Sequence, residues 1–343
     1  MAVTGMAGHR HRARRHFVGP LRTGPPDDRR NGSRNCGHGC RDTLASRSGP
    51  PMGVLFSLLL RVDMEICILG PLVLSHTDRT IALTAPKPRS VLALLLLNAD
   101  QVVQASTMIQ DLWGRNPPAS AQTTLQTYIL QVRKCLGQLL GAAVAEIAKR
   151  MLVTVPGGYQ LRLDATDFDL RTFEQLATAG RQALAAGENV EAAALLTRAR
   201  DLWRGPALVD IRAGAVIGPR LRALEQIRLH TLEQCIEARM RLGHHQDVLA
   251  ELTMLTAEHE LNENLCAQLM VALHRSGRRQ EALQAFHRLR VSMVDELGLE
   301  PSHRLRLLQR AILAEDPVLE VAPRDDGLTQ VLDHLVLEQA RGR

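Results

Sequence analysis

Hydrophobic positions in residues 118–136, PASAQTTLQTYILQVRKCL, recur at helical spacing. Leu125, Tyr128, Ile129, Val132 and Leu136 fall on one stripe and predict an amphipathic helix with that stripe buried. At about 3.6 residues per turn, the opposite face gathers Thr123, Gln126, Thr127, Leu130, Gln131 and Lys134, with Arg133 on its flank. An ordinary solvated helix face carries Glu and Lys pairs. This one has no acid, and a leucine sits near its centre.

Shorter patterns surround it. EICIL and PLVL, separated by Gly70 and Pro71, read as strands, and RTIALT (79–84) reads as a third. RSVLALLLLNAD (89–100) predicts a helix buried on most sides. VVQ reads as a brief strand. Ser106 is the expected cap of the helix TMIQDLWG, which stops at Gly114. NPPASA is a loop. MLVTV and YQLRL flank PGG and predict a hairpin, with Gly157 and Gly158 as its turn because a tight turn needs positive φ. Strands, helix, helix, helix, hairpin is the order of a winged helix-turn-helix with a small N-terminal sheet. In such modules the helix before the hairpin enters the major groove and the hairpin follows the adjacent backbone or minor groove.

From Asp164 onward the pattern is helical only. ALAAGENVEAAALLTRAR, ARMRLGHHQDVLAELTML and ALHRSGRRQEALQAFHRL each place a glycine (Gly187, Gly243, Gly277) between two amphipathic helices. The last two glycines are 34 residues apart, the tetratricopeptide period. Ala192 and Ala282 fall five places after their glycine, where a small residue lets paired helices approach. A longer helix over 219–242 interrupts the array, EDP (315–317) closes it, and LTQVLDHLVLEQ in the tail is one more short helix. The fold class is therefore mainly α with a small β component: a winged helix-turn-helix over 64–163, followed by an α-helical tetratricopeptide-like repeat bundle over 164–317. A leader (1–63) and a tail (318–343) flank them.

Charge changes the picture where it is uneven. The chain has 343 residues and a net charge of +6. The leader holds 11 Lys/Arg against 4 Asp/Glu, so most of the surplus lies there. Its runs HRHRARRH, GPPDDRRNGSRNCGHGC and SRSGPP are rich in Arg, Gly and Pro and have no periodicity. Three readings stay open: a basic nucleic-acid-binding arm, a metal knuckle from Cys36, His38 and Cys40, or translation beginning downstream at Met52, Val62 or Met64. Residues 64–163 carry 9 Lys/Arg against 5 Asp/Glu, modestly basic as a DNA-binding domain should be. VLFSLLLRV (54–62) is too short to span a bilayer, so no membrane partner is expected and the protein is expected in the cytoplasm. Six scattered cysteines fit reduced, structural thiols.

The acid-free helix face then has a use. Thr123, Gln126, Thr127 and Leu130 are candidates for base contacts, because Thr and Gln hydrogen-bond to base edges and leucine packs on a thymine methyl. Arg133 and Lys134 are candidates for phosphate contacts, with Lys87 and Arg89 at the start of the first helix. Tyr159 is expected in the core, and Trp113 and Trp203 as anchors. No G-x-S-x-G, H-E-x-x-H or P-loop occurs, so neither enzyme activity nor a cofactor or metal is expected.

ILGPL, APKPRSVLALLLLNADQVV, LWGRNPPASAQTTLQTYILQVRKCL, PGGYQLRLD, DLWRGPAL, LEQCIEARMRLG, LCAQLMVALHRSGRRQEALQAFHRLR and DELGLEPS together resemble the Streptomyces antibiotic regulatory protein family across 64–317. The resemblance implies an OmpR-type winged helix followed by a bacterial transcriptional activation domain. It implies activation of a secondary-metabolite gene cluster through direct repeats in double-stranded promoter DNA. Protomers would bind side by side or as a homodimer and recruit RNA polymerase holoenzyme, with the loop from Arg115 and Asn116 to Ala121 at the polymerase. Thr123, Leu130 and Gln131 stand where the family usually has Asn, Ser and Arg, which implies weaker backbone grip and a shifted operator. A competing class is a helical-repeat adaptor with a weakened DNA-binding domain. Larger relatives in that family carry an ATPase module after the activation domain, and none is expected in this chain. A receiver domain is likewise not expected in the 63 residues before the winged helix.

Overall fold

A computed structural model of the chain describes residues 64–77, 79–81, 83–163, 167–320 and 328–341. Cys36, His38, Cys40 and the basic leader runs lie outside the described residues, as do Met52 and Val62.

The chain opens with β1 (Met64–Cys67), β2 (Val73–His76) and β3 (Arg79–Ile81). They form an antiparallel meander with Glu65 opposite Ser75 and Leu74 opposite Ile81. The expected third strand ends at Ile81 and does not continue to residue 84. Next come α1 (Pro86–Leu96), β4 (Val102–Gln104), α2 (Ala105–Trp113) and α3 (Ala121–Leu140). Prolines in the first turn of α1 start it three residues before the expected Arg89, since the N–H groups lost there have no helical acceptor. Ser106 is not the cap of α2. That helix begins at Ala105 behind Gln104, and the Ser106 hydroxyl turns to the Gln104 amide oxygen at 3.3 Å. α3 runs a full turn beyond Leu136 and stops at Gly141, which adopts φ +64°.

A short helix, α4 (Val144–Arg150), follows. Its one buried anchor, Ile147, gives too little periodicity to be read from sequence. The hairpin β5 (Leu152–Val155) and β6 (Gly158–Leu161) forms as expected, and β4 pairs with β6 to give the order β4-β6-β5. Only Gly157 supplies the positive φ of the turn, at +80°. Gly158 belongs to β6 and is needed for a different reason: a Cβ there would overlap the Val103 carbonyl of β4. A strand the sequence pattern did not announce, β7 (Asp167–Phe168), joins β1 in parallel and completes the order β3-β2-β1-β7.

The remainder is helical: α5 (Asp169–Ala185), α6 (Asn189–Asp201), α7 (Ile217–Arg241), α8 (Leu249–Glu258), α9 (Glu263–Arg275), α10 (Arg279–Leu297), α11 (His303–Ala314) and α12 (Leu328–Arg341). Gly187, Gly243 and Gly277 take φ of +78°, +84° and +76° just beyond α5, α7 and α9, the left-handed stop that L-residues disfavour. Ala192 and Ala282 are fully buried between paired helices. The tail helix α12 packs Val331, Leu332 and Leu335 into the same core as α9 and α11, so that core continues past residue 317.

A second core crosses residue 163. Ile66, Leu69, Leu92, Leu95, Leu125 and Ile129 share one buried cluster with Phe168, Phe173, Leu208, Ile211 and Ile217. Hydrogen bonds interlock the same faces. The buried Asp169 carboxylate accepts the backbone N–H groups of Ile68 (2.8 Å) and Leu69 (2.9 Å) and meets Arg204 at 3.2 Å. Asp111 of α2 accepts the N–H groups of Val216 and Ile217, both at 2.8 Å, and so caps α7 from another element. Asp210 accepts from Leu72 N–H and pairs with Arg89. Burial pushes the Asp169 carboxyl up, while the two N–H donors and Arg204 pull it back.

Asp169→Ala would leave two buried N–H groups and a guanidinium without their acceptor. It is expected to destabilise the protein by about 3 kcal/mol, read from denaturant unfolding. A loss below about 0.5 kcal/mol would show that the interlock contributes little.

Candidate nucleic-acid interface

α3 buries Leu125, Ile129, Val132 and Leu136, none more than 1% exposed, against α1 and the first sheet. Tyr128 is half-buried and stacks on Trp113, with ring centroids 6.2 Å apart. The burial stripe therefore matches the hydrophobic pattern, and its rotation fixes what faces out. Thr123, Gln126, Thr127, Leu130, Gln131 and Lys134 are all exposed on the opposite side. Leu130 is 43% exposed at the centre of that face. The Thr127 hydroxyl donates to the Thr123 carbonyl at 3.1 Å, which leaves its oxygen lone pairs outward.

The hairpin flanks this face. The first N–H of α2, at Ala105, donates to the Gly157 carbonyl in the hairpin turn at 2.9 Å, so the turn and the start of α2 are held together. Tyr159 is buried, as expected. Arg133 is the brace between helix and hairpin. Its Nε and one terminal nitrogen donate to the Leu152 carbonyl at 3.0 and 2.8 Å, and that nitrogen also reaches Thr154 Oγ1 at 2.8 Å. Burial lowers the Arg133 pKa from its usual value. The sequence reading gave Arg133 to phosphate, yet much of its donor capacity is spent on β5. Lys134, its neighbour, is exposed and has no polar partner among the described residues.

Lys87 and Arg89 are also placed differently from the expectation of backbone contact. The Lys87 ammonium lies over the Trp113 ring, 4.7 Å from its centroid. Arg89 is paired with Asp210. Both therefore serve the seam between α1, α2 and the segment before α7. Trp203 makes the corresponding anchor on the helical side, edge-on to Phe173 at 5.4 Å with Arg228 above it at 4.6 Å. Arg115, Asn116 and the loop to Ser120 are exposed.

Cys67, Cys135, Cys235 and Cys266 are unbridged and buried. Burial pushes the Cys67 and Cys266 thiols up to about 12, so both stay protonated. Among the described residues, no helix is long and apolar enough to cross a membrane. Sequence reasoning did not find Asp111, Asp169 and Asp210, because their partners lie about 100 residues or more away in the chain.

Known proteins carry the same arrangement. The family described as "Transcriptional regulatory protein, C terminal" matches residues 78–161, and the bacterial transcriptional activator domain matches residues 168–313. The regulatory protein DnrI of Streptomyces peucetius is 50% identical over 75% of this chain and 94% of its own length. The transcriptional regulator RedD of Streptomyces coelicolor is 35% identical over 75% of this chain and 73% of its own. The solved structure of Mycobacterium tuberculosis EmbR in complex with a low-affinity phosphopeptide superposes with a TM-score of 0.69 at 30% identity, covering 81% of this chain and 70% of that one. Two domain families in this order, and a relative half identical along nearly its whole length, mean that the chain belongs to the Streptomyces antibiotic regulatory protein family of transcriptional activators.

Proposed function

We propose that the protein binds promoter DNA through α3 and the β5–β6 hairpin and recruits RNA polymerase to a secondary-metabolite gene cluster. The acid-free exposed face of α3 is the observation that carries this reading. A polar helix face that lacks carboxylates and lies beside a wing hairpin is matched to a polyanion. Gln126 and Thr127 read base edges in the major groove, with Thr123 beside them, and Leu130 packs on a thymine methyl. Lys134 takes a phosphate. Arg133 acts through the wing, holding β5 against α3 so that the hairpin meets the backbone at a fixed angle.

In this reading, residues 64–163 bind DNA in the cytoplasm and the helical region aligns protomers side by side on direct repeats. The loop from Arg115 and Asn116 to Ala121 meets polymerase. The adaptor reading draws on a groove of about 700 Å³ between α8, α9 and α10, floored by Cys266, Leu269 and Leu289. It requires that DNA binding be absent.

Sequencing the DNA bound to tagged protein separates the two readings. Enrichment at direct repeats upstream of a few operons, whose transcripts fall in a deletion strain, is the expected result. No enrichment above background would leave the adaptor reading.

On the operator so found, Gln126→Ala with Thr127→Ala is expected to lose about 2 kcal/mol of discrimination against mismatched sites, measured by mobility shift. Retained discrimination would move base reading to another surface. Lys134→Ala should weaken binding to all sequences and lower the slope of log affinity against log salt by about one, with an unchanged melting temperature. Arg133→Ala should differ in kind: lower thermal stability, by about 1–2 kcal/mol, accompanies its loss of affinity. If Arg133→Ala melts like the wild type and only the salt slope changes, Arg133 is a simple phosphate ligand.

A further inference from the structure

The first turns of α7 run against the helix dipole. A helix N-terminus favours acids and disfavours cations. α7 has no acid in its first turn, yet Arg220 and Arg222 lie in its first two turns and Arg212 just precedes it. From Ile211 to Leu224 the chain holds these three arginines and no carboxylate. All three are exposed. Three acids of the adjoining segments are already engaged. Asp111 accepts two backbone N–H groups, Asp210 holds Arg89 and Leu72 N–H, and Glu225 takes Ala207 N–H and Arg228. Arg212 and Arg222 side chains have no polar partner among the described residues, and Arg220 has one, the Leu97 carbonyl at 3.1 Å.

The seam adds cations from the other side. The Ser90 hydroxyl reaches the Arg212 carbonyl at 3.3 Å, which fixes this segment on α1 one turn from Lys87. Gly214 lies so close to Asp111 that a Cβ would overlap its carbonyl, and Arg115 opens the loop just after the helix that carries Asp111. Lys87, Arg212, Arg220 and Arg222 thus edge one seam, near the start of the loop at Arg115, and have no carboxylate partner among the described residues. The seam lies at the Asp111–Trp113 end of α2, whereas the hairpin turn is bonded to the Ala105 end. An arginine surface at the far end of α2 from the wing is complementary to an acidic protein face, and contact with the promoter backbone is the alternative that the test separates.

We infer that the α7 entry, Arg212, Arg220 and Arg222, is a docking surface for an acidic face of a protein partner, continuous with the exposed loop that begins at Arg115. The inference rests on the activator reading above and makes the helical region a direct contributor to the polymerase contact. A local penalty in helix electrostatics persists in this segment because the charges act outward.

The test uses the full chain, its promoter fragment and RNA polymerase holoenzyme. Arg212→Glu with Arg222→Glu avoids Arg220, whose hydrogen bond is structural. Promoter binding without polymerase should match the wild type in affinity and salt slope. Capture of polymerase on the promoter, and transcripts from it, should fall at least about tenfold. Arg212→Gln with Arg222→Gln gives a smaller loss of the same kind and covers the case in which charge reversal lowers the melting temperature. Polymerase capture at wild-type level by folded variants would overturn the inference while leaving the activator reading intact. Weaker binding to DNA alone, with a salt slope lower by about two, would also overturn it and make the seam a phosphate contact. A wild-type protein that binds the promoter but captures no polymerase would overturn both readings.

Discussion

A buried carboxylate holds the two halves of this chain in register. Asp169 begins α5, yet its oxygens accept the N–H groups of Ile68 and Leu69, where β1 ends. Those two donors have no strand partner there, and an unmet buried N–H is costly. Immediately before Asp169, β7 adds itself to β1. Strand pairing, the carboxylate clamp and the common core of Phe168, Phe173 and Leu69 all act at one place. The acceptor is buried and takes donors from two N–H groups and Arg204, so those donors must stay in position. The helical region is consequently an integral wall of the winged module.

Asp111 repeats the device in the opposite direction. A side chain of α2 satisfies the first N–H groups of α7, which carry no local cap of their own. Because α2 also abuts the hairpin turn and α3, the start of α7 is coupled through a few bonded contacts to the exposed, acid-free face of α3.

The cations divide by task, and the division is geometric. Arg133, Lys87 and Arg89 spend their donors or charge on Leu152, Trp113 and Asp210 and stabilise the module. Lys134, Arg115, Arg212 and Arg222 face outward without partners among the described residues. Two neighbours in sequence, Arg133 and Lys134, fall on different sides of this line. A planar fork of donors suits Arg133 to bracing two strand groups at once, whereas a compact, strongly hydrated ammonium on a flexible stem suits Lys134 to solvent.

The sequence by itself determined which faces are buried. Leu125, Ile129, Val132 and Leu136 recur with the period of a helix, so the exposure of Gln126 and Leu130 followed directly. The glycines at 187, 243 and 277 marked the helix ends, and the Pro-Gly-Gly run marked the hairpin, because left-handed φ is a local demand. Elements too short to show a period, α4 and β7, escaped notice. So did the role of Gly158, which is set by a strand more than fifty residues away. Only the tertiary structure decided which charged groups are spent internally and where the cores begin and end. A side chain's partner depends on what the fold brings within about 3 Å of it, and periodicity along the chain carries no information about that distance.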